Sequence, residues 1–373
     1  MEDLSAYRKQ IDEIDSQLIP LFERRMGLAR KVAEYKRVNH LPVLQRGREA
    51  EVLQKAEDAL QDKQYAGQAR QLMETVMELS RGAQHKDLAG NQPPDPQEEI
   101  DFSGRLGYPG VAGSFSEMAL LEFFGRSGQA YPDFEDVFAA LAKDEIDYGL
   151  LPIENSSTGS IAKNYDLLDA YGFYIVGEHS LRIIQNLVGL ENASLEGIRT
   201  VYSHSQGIEQ SAKFLSQHRD WETVHFLNTS ISAKMVAQSG DPAKAAIASR
   251  RAAELYGLKV LVPEIQDSRM NTTRFIVISK KLMQTNGNKI TIAFTLDNQS
   301  GTLYNVLRHF SQNHINMVKI ESRPVPGVLW NYRFYLDFDG ALYMPDVVAL
   351  LESLQQEANQ FRLLGAYRRS RES

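Results

Sequence analysis

The sequence contains no cysteine among its 373 residues. Disulfide bonds, iron–sulfur clusters and zinc sites built on thiolates are therefore excluded. It also has no run of about 18 uninterrupted apolar residues, the length that a membrane-spanning helix needs. Its start, Met1 to Ser5, has neither the basic residues nor the apolar stretch of a secretory signal. These absences predict a cytoplasmic protein with no membrane partner.

Basic residues are in deficit as well. The chain carries a net charge of -7, whereas proteins that bind nucleic acid usually present a basic face, so we expect no nucleic-acid partner. An anionic ligand would need a local cluster of arginine side chains. Apolar residues make up 43% of the chain and charged residues 24%, which is typical of globular proteins. The length predicts about two to four domains.

Residues 3 to 38 are predicted to form one long helix with an apolar heptad seam. Pro20 falls inside this helix and predicts a bend. Arg25 occupies the one position at which the seam is interrupted. A seam of this kind needs a partner to cover it, so we expect at least a homodimer. Its members are Leu4, Tyr7, Ile11, Ile14, Leu18, Leu21, Leu28, Val32 and Tyr35.

Cationic side chains recur around Arg25 at helical spacing. Lys36 lies eleven residues on, which places it about 20° from Arg25 around the helix axis. Arg8 lies about 100° away and would more readily serve a site shared across a dimer. Because a guanidinium on an apolar seam is unfavourable unless paired, we expect either a carboxylate of the partner helix or an anionic ligand to pair with Arg25. Each charge alone is typical of a solvated helix face, but several cations directed at one helical core favour an anion site. Two further helices add Arg48, Glu49, Ser80 and Gln84.

This spacing resembles that of the all-helical chorismate mutase domain, and the resemblance covers residues 1 to 86. It implies two interlocked chains, with Arg8 reaching the site of the other subunit. It also implies that Arg25 and Arg48 hold the carboxylates of chorismate and that Ser80 contacts one of them.

Three further roles follow from the same resemblance. Lys36 and Gln84 would reach the ether oxygen of chorismate, and Glu49 would bind its ring hydroxyl. Gln45 stands where some members of the family carry an aspartate. The rearrangement needs no metal and no cofactor, so we expect neither.

Residues 87 to 103 lose the helical periodicity and are rich in proline and polar residues, which predicts a linker. From 104 to 282, strand-like runs alternate with helical ones. This alternation predicts an α/β domain with mostly parallel sheets and ligand sites beyond the carboxyl ends of its strands.

Three loops in this domain place glycine, hydroxyl and amide groups just before a predicted helix, at residues 109–116, 151–159 and 201–206. A fourth segment, Asn271 to Arg274, sits at the entrance of a strand. Helix entrances offer backbone N–H groups to anions, although the same residues are ordinary helix caps. Together the four segments predict one anion-binding cleft.

The runs at 152–155, 202–204 and 273–275 resemble the signature of prephenate dehydratase. The resemblance implies two α/β lobes around a cleft, similar to periplasmic binding proteins, and a decarboxylating dehydration of prephenate to phenylpyruvate. Thr273 would protonate the departing ring hydroxyl, and Asn155 and Gln210 would orient the substrate. The other substrate contacts would come from Ser114, Ser116, Ser156, Ser157, Ser203, His204 and Arg274.

Residues 288 to 369 change pattern to the order βαββαβ, which predicts a ferredoxin-like sandwich. This segment resembles an ACT regulatory domain, and the resemblance implies that phenylalanine binds there as an effector. A domain kept only for dimerisation is the alternative. The phenylalanine-binding residues would be Gly301, Thr302, Leu303, Glu321, Ser322, Arg323 and Pro324.

The hypothesis is a bifunctional enzyme of phenylalanine biosynthesis that acts on chorismate and then on prephenate, inhibited by phenylalanine and assembled as a homodimer or a dimer of dimers. One alternative is a non-catalytic sensor of aromatic metabolites. Another is a dehydratase that prefers arogenate.

Overall fold

The computed structural model describes residues 3–39, 46–89, 101–283, 287–325 and 327–370. Gln45 and residues 90–100 of the predicted linker lie outside these ranges. The chain divides into two compact units. The first unit comprises residues 1–96 and 293–362, and the second unit comprises residues 97–292 and 363–373. None of the described helices is both long enough and apolar enough to cross a bilayer.

The first unit begins with the predicted long helix, which is confirmed and which runs through Pro20 without interruption. The two further helices that carry Arg48, Glu49, Ser80 and Gln84 are present as well. The helices are α1 (Leu4–Val38), α2 (Arg46–Ala59) and α3 (Ala66–Ala89).

The apolar seam of α1 is uncovered in the single chain. Its nine members are between 46% and 65% exposed, whereas Ala33 on the same helix is only 1% exposed. Helix α1 packs on α3 through another face. One chain therefore leaves in water a long apolar stripe of the kind that dimeric helices bury.

The second unit contains two lobes, and each lobe is built on its own sheet. Elements of the first lobe are β1 (Leu106–Pro109), α4 (Phe115–Phe124), β2 (Gln129–Tyr131), α5 (Phe134–Ala142), β3 (Tyr148–Asn155), β4 (Gly159–Ser160), α6 (Ala162–Tyr171) and β5 (Tyr174–Arg182). The second lobe contains β6 (Asn186–Gly189), β7 (Thr200–Ser203), α7 (Ser205–Glu209), α8 (Ala212–Leu215), β8 (Glu222–His225), α9 (Thr229–Ser239), β9 (Lys244–Ala248), α10 (Arg250–Tyr256) and β10 (Lys259–Val262). The chain then returns to the first sheet through β11 (Thr272–Ser279).

Both sheets are mixed, so the prediction of mostly parallel sheets was wrong. The first sheet has the order β2-β1-β3-β11-β5, with β4 on β3, and the second has the order β10-β6-β9-β7-β8. Strands β1, β2 and β3 are parallel, but β11 is antiparallel to both of its neighbours. The reason is the chain path, because β11 re-enters the first sheet from the second lobe.

Strand β11 is central in its sheet and lies between β3 and β5. Phe275 to Ile278 are at most 2% exposed. Phe275 and Val277 pack into a core with side chains from β1, β3 and α4, including Leu106, Leu120 and Leu150. Burial on both faces fixes the strand and therefore the residues at its entrance.

The C-terminal segment has the predicted βαββαβ order. Its sheet has the strand order β13-β14-β12-β15, with β13 and β14 antiparallel. Residues 289–292 of its first strand and 363–367 of its last strand belong to the second unit, and the remainder belongs to the first unit. The elements are β12 (Lys289–Thr295), α11 (Thr302–Gln312), β13 (Met317–Pro324), β14 (Tyr332–Asp339), α12 (Pro345–Glu357) and β15 (Asn359–Tyr367).

Candidate active sites

A cavity of about 490 Å³ lies among α1, α2 and α3 in the first unit. Six of the seven residues predicted for a chorismate site line it. Arg8 is absent from its lining, as expected of a residue that serves another subunit. The six are Arg25, Lys36, Arg48, Glu49, Ser80 and Gln84.

Arg25 is held in place by α3. Its Nη1 donates to Ser80 Oγ at 2.6 Å and to the Val76 carbonyl oxygen at 3.3 Å. Burial lowers the pKa of Arg25, but a guanidinium remains charged in proteins. The contacts to α3 therefore aim a fixed positive charge into the cavity.

Lys36 and Glu49 face the same cavity from different helices. Burial lowers the pKa of Lys36, and the nearby Glu49 carboxylate opposes that shift. Gln84 is 7% exposed, and its buried Oε1 has no hydrogen-bond partner among the described residues. A buried amide that is incompletely satisfied by the protein retains hydrogen-bonding capacity for a ligand.

A second cavity, of about 510 Å³, lies between the two lobes of the second unit. Six residues predicted for the prephenate site line it, and they come from both lobes. Apolar side chains such as Phe115 and Phe275 complete its walls. The six residues are Ser114, Ser116, Asn155, His204, Gln210 and Thr273.

Thr273 and Asn155 belong to a network of hydrogen bonds in this cleft. Asn155 Nδ2 donates to Thr273 Oγ1 at 2.9 Å and to Asn271 Oδ1 at 2.8 Å. The Oδ1 of Asn155 accepts the backbone N–H groups of Ser157 and Thr158 at 2.9 and 3.1 Å. Because Asn155 donates to Thr273, the threonine hydroxyl keeps its own proton available for another acceptor.

Three predicted serine contacts have structural roles and do not line the cleft. Ser203 is fully buried and donates to the Ile247 carbonyl oxygen at 3.0 Å. Ser156 Oγ donates to the Met270 carbonyl and accepts the Thr272 N–H. Ser157 contributes its backbone N–H to Asn155, as described above. Each of these groups supports the loops that shape the cleft.

Arg274, which was expected to face an anion in the cleft, is not among the described residues that line it. Successive side chains of a strand point to opposite faces of the sheet, so Arg274 points away from the cleft that Thr273 lines. Its guanidinium lies 2.8 Å from Glu178 and 3.5 Å from Glu154, and it donates to the Tyr367 hydroxyl at 3.2 Å. Arg274 is thus paired with two acids away from the cleft, the buried Glu178 and the partly exposed Glu154.

Neither lysine nor arginine is found among the described residues that line the cleft. Helix N-termini lie there instead, and their partial positive charge suits an anion. Helix α4 is capped by Ser114, and α9 is capped by Asn228, whose Oδ1 accepts the Ile231 N–H at 2.7 Å. Both caps belong to the cleft lining.

Two family models match the chain. Chorismate mutase type II matches residues 7–85, and prephenate dehydratase matches residues 106–282. The bifunctional chorismate mutase/prephenate dehydratase of Neisseria gonorrhoeae is 31% identical over 98% of this chain and 97% of its own length. The chain belongs to this bifunctional family. The cavity among α1, α2 and α3 falls within the first matched region and is called the mutase cavity below. The cavity between the two lobes falls within the second matched region and is called the cleft.

Solved structures of prephenate dehydratases resemble this family member over most of its length. The enzyme from Arthrobacter aurescens, described in complex with L-Phe, is 26% identical with a TM-score of 0.66, covering 71% of this chain and 90% of its own. The enzyme from Staphylococcus aureus is 29% identical with a TM-score of 0.64, covering 70% of this chain and 99% of its own.

Sequence reasoning missed Arg81 in the mutase cavity and Gln185 in the cleft. The Arg81 Nη1 lies 2.5 Å from Glu49 Oε1. Gln185 Nε2 donates to Gln210 Oε1 at 3.3 Å, from the segment between β5 and β6. Neither residue belongs to a motif or a periodic pattern, and both are identified only by their tertiary contacts.

The proposed phenylalanine motifs lie on two elements of the C-terminal segment. Gly301 has a φ of 90° and precedes α11, where the left-handed conformation favours glycine. Thr302 Oγ1 donates to the Asp297 carbonyl oxygen at 3.0 Å. The second motif, Glu321 to Pro324, pairs with β14 on the edge strand β13.

Proposed function

We infer that this protein rearranges chorismate to prephenate in the first cavity and converts prephenate to phenylpyruvate in the cleft. The observation that carries this conclusion is that each family region contains its own cavity, lined by residues suited to one of the two reactions. The chain is therefore a bifunctional enzyme of phenylalanine biosynthesis.

The mutase step is a rearrangement that needs a compact dianion and stabilisation of the breaking carbon–oxygen bond. Arg25 and Arg48 hold the two carboxylates. Lys36 and Gln84 donate to the ether oxygen as negative charge develops on it. Arg25, fixed by Ser80, is the anchor of this arrangement.

Two further groups complete the mutase site. Glu49 accepts a hydrogen bond from the ring hydroxyl, and Ser80 contacts one carboxylate. Arg8 enters from a second chain. The uncovered seam of α1 and the position of Arg8 outside the cavity of its own chain support a homodimer. Two such dimers could associate into a tetramer.

In the dehydratase step, Thr273 transfers its proton to the ring hydroxyl, which leaves as water. The bond to the ring carboxylate breaks, its electron pair completes the aromatic ring, and CO₂ departs. The threonine then recovers a proton from solvent. Asn155 supports this role because its N–H stabilises negative charge on Thr273 Oγ1 while the proton is being transferred.

The remaining cleft residues orient prephenate. Gln210 and His204 contact it from the second lobe, and Ser114 and Ser116 contact it from the entrance of α4. Neutral donors and helix termini take the place of cations here.

The C-terminal segment acts as an ACT regulatory domain that binds phenylalanine. Its βαββαβ order and the two motifs support this role, as does the description of the Arthrobacter aurescens relative in complex with L-Phe. We take the domains to be residues 1–86, 104–282 and 288–369, joined by a linker at 87–103, in a cytoplasmic enzyme.

The test follows chorismate loss and phenylpyruvate formation in one reaction with the whole chain, and repeats it with added prephenate. We expect both signals, and we expect phenylalanine to lower phenylpyruvate formation. Consumption of neither substrate by folded protein that binds phenylalanine would identify a sensor and refute the enzyme proposal.

A further inference from the structure

A third cavity, of about 380 Å³, lies in the first unit beside the mutase cavity. Glu49, Met77 and Arg81 line both cavities. The rest of its wall comes partly from α3 and partly from the C-terminal residues of the same unit, including His309 and Glu357. The turn of α3 from Met77 to Arg81 therefore lies between the mutase cavity and the C-terminal residues.

His309 on α11 is the centre of a buried ionic cluster. It is 2% exposed, its Nδ1 hydrogen-bonds Glu78 on α3, and its Nε2 lies 2.9 Å from Glu357 Oε1. The second contact is at ion-pair distance but outside hydrogen-bond geometry. Burial alone would lower the pKa of His309, but Glu357 and Glu78 outweigh it and raise the pKa to about 9. The imidazole is therefore charged at neutral pH.

Arg81 follows Glu78 by three residues on α3, so the two side chains are neighbours on one helix face. Its side chain is 14% exposed and contacts Glu49, as described above. On the other side, burial opposes ionisation of Glu357, while His309 and, to a smaller extent, Arg308 and Arg81 lower the pKa of that carboxyl. Arg81 thus stands between Glu49 of the mutase cavity and Glu357 of the C-terminal segment.

We propose that Arg81 is a positioning residue for the mutase reaction and that it orients Glu49 toward the substrate. The cluster of Glu78, His309 and Glu357 holds in place the turn of α3 that carries Arg81. The C-terminal segment is then a structural support of the mutase site. This inference rests on the proposed mutase activity and deepens it.

The contrast with Arg70 on the same helix supports this assignment. Arg70 pairs with Glu57 and Glu74, but its side chain is 51% exposed. Exposed pairs contribute little, because water screens the charges and the side chains lose freedom. Arg81 is more enclosed and ends on a residue of the cavity, so its loss acts directly on Glu49.

The first experiment measures mutase kcat and KM in Arg81→Met, Arg81→Lys and the matched control Arg70→Met. We expect Arg81→Met to lower mutase kcat/KM by about 10-fold to 100-fold, the effect of losing a hydrogen bond between charged groups. Arg81→Lys should recover part of the loss, while conversion of added prephenate stays unchanged in all three. A loss of less than twofold in Arg81→Met would overturn the proposal.

A double-mutant cycle with Glu49→Gln distinguishes an effect of Arg81 on the position of Glu49 from a general loss of rigidity in the mutase site. If Arg81 acts through Glu49, the effects of the two substitutions on kcat/KM are strongly non-additive. Full additivity would refute the mechanism. Failure of the wild-type protein to consume chorismate would refute the proposed function instead, so the two failures are distinguishable.

The second experiment tests the C-terminal support. His309→Gln should raise mutase KM about 3-fold to 10-fold, whereas His314→Gln, on an exposed residue just beyond α11, should not. Because His309→Gln removes a buried charge, Glu357→Gln serves as a milder variant, since its side chain is 37% exposed. Unchanged mutase kinetics in folded Glu357→Gln and His309→Gln would refute the role of the cluster.

Discussion

The two cavities handle negative charge in opposite ways. The mutase cavity is lined by Arg25, Lys36 and Arg48, with Arg81 beside them, while the described lining of the cleft contains no lysine or arginine. The rearrangement retains both carboxylates of the substrate, so cations bound to them do not slow the reaction. Loss of CO₂ requires one carboxylate to leave, and a guanidinium bound to it would stabilise the substrate more than the transition state. The difference in lining therefore follows the difference in chemistry.

The largest expected effect is on the dehydratase activity, when the hydroxyl of Thr273 is removed. Thr273→Val should lower dehydratase kcat by about 100-fold to 10,000-fold, because proton transfer by a positioned acid contributes that much. Chorismate consumption should be unchanged. Separate assays on chorismate and prephenate measure both activities.

Thr272→Val is the matched control, since Thr272 is the neighbouring residue of β11 and is not part of the cleft lining. A dehydratase kcat that is unchanged in Thr273→Val would contradict the assigned role, whereas equal loss of both activities would indicate misfolding.

The reciprocal change is Arg25→Met. We expect mutase kcat/KM to fall by about 100-fold to 1,000-fold, the range seen when one charge-stabilising donor is removed. Conversion of added prephenate should persist. Arg24→Met, one residue earlier on an exposed face of α1, should leave both rates intact, and similar losses in the two variants would argue against a dedicated site.

Arg274→Met tests whether the cleft truly works without a cation. Its side chain is 14% exposed, and its loss leaves Glu178 with Lys289 as a partner at 2.9 Å. We expect the free energy of unfolding to fall by about 3 kcal/mol, the lower end for breaking a buried pair. The KM for prephenate should change less than about threefold. A tenfold rise in the KM for prephenate with unchanged stability would indicate that Arg274 contacts the substrate.

The smallest expected effect is a pH dependence confined to the first unit. The pKa of His309 is raised to about 9 from its ordinary 6.5. The resulting stability is complete below pH 6.5 and is lost as pH rises through about 9, when Glu78 and Glu357 lose their cationic partner.

The shift corresponds to at most about 3 kcal/mol, and solvent at Glu357 reduces the expected change to about 2 kcal/mol. Thermal unfolding of wild type and His309→Gln between pH 6 and pH 10 measures it. The alkaline decline should disappear in the variant, and an equal decline in both would assign it to other groups.

Local periodicity made much of the first unit predictable. The heptad seam identified α1, and the eleven-residue step placed Arg25 and Lys36 on one face of that helix. The direction of β11 was not predictable, because it depends on where the chain re-enters the sheet.

Contacts between distant parts of the chain explain the other differences. Glu78 and His309 are separated by 231 residues, so no local pattern links them. The position of Arg274 outside the described cleft lining has a different origin. Strand alternation already placed Thr273 and Arg274 on opposite faces, and the expectation that both faced one anion overlooked that geometry.

The alternation on β11 has a consequence for folding accuracy. Pairing of β11 with β3 shifts by one residue between Arg274 and Phe275, directly after the proposed catalytic hydroxyl. A slip of one residue along either neighbour would exchange the two faces of the strand, so the cleft would receive a guanidinium and the hydroxyl would be buried behind the sheet. Turnover of prephenate is therefore a direct reporter of correct strand register.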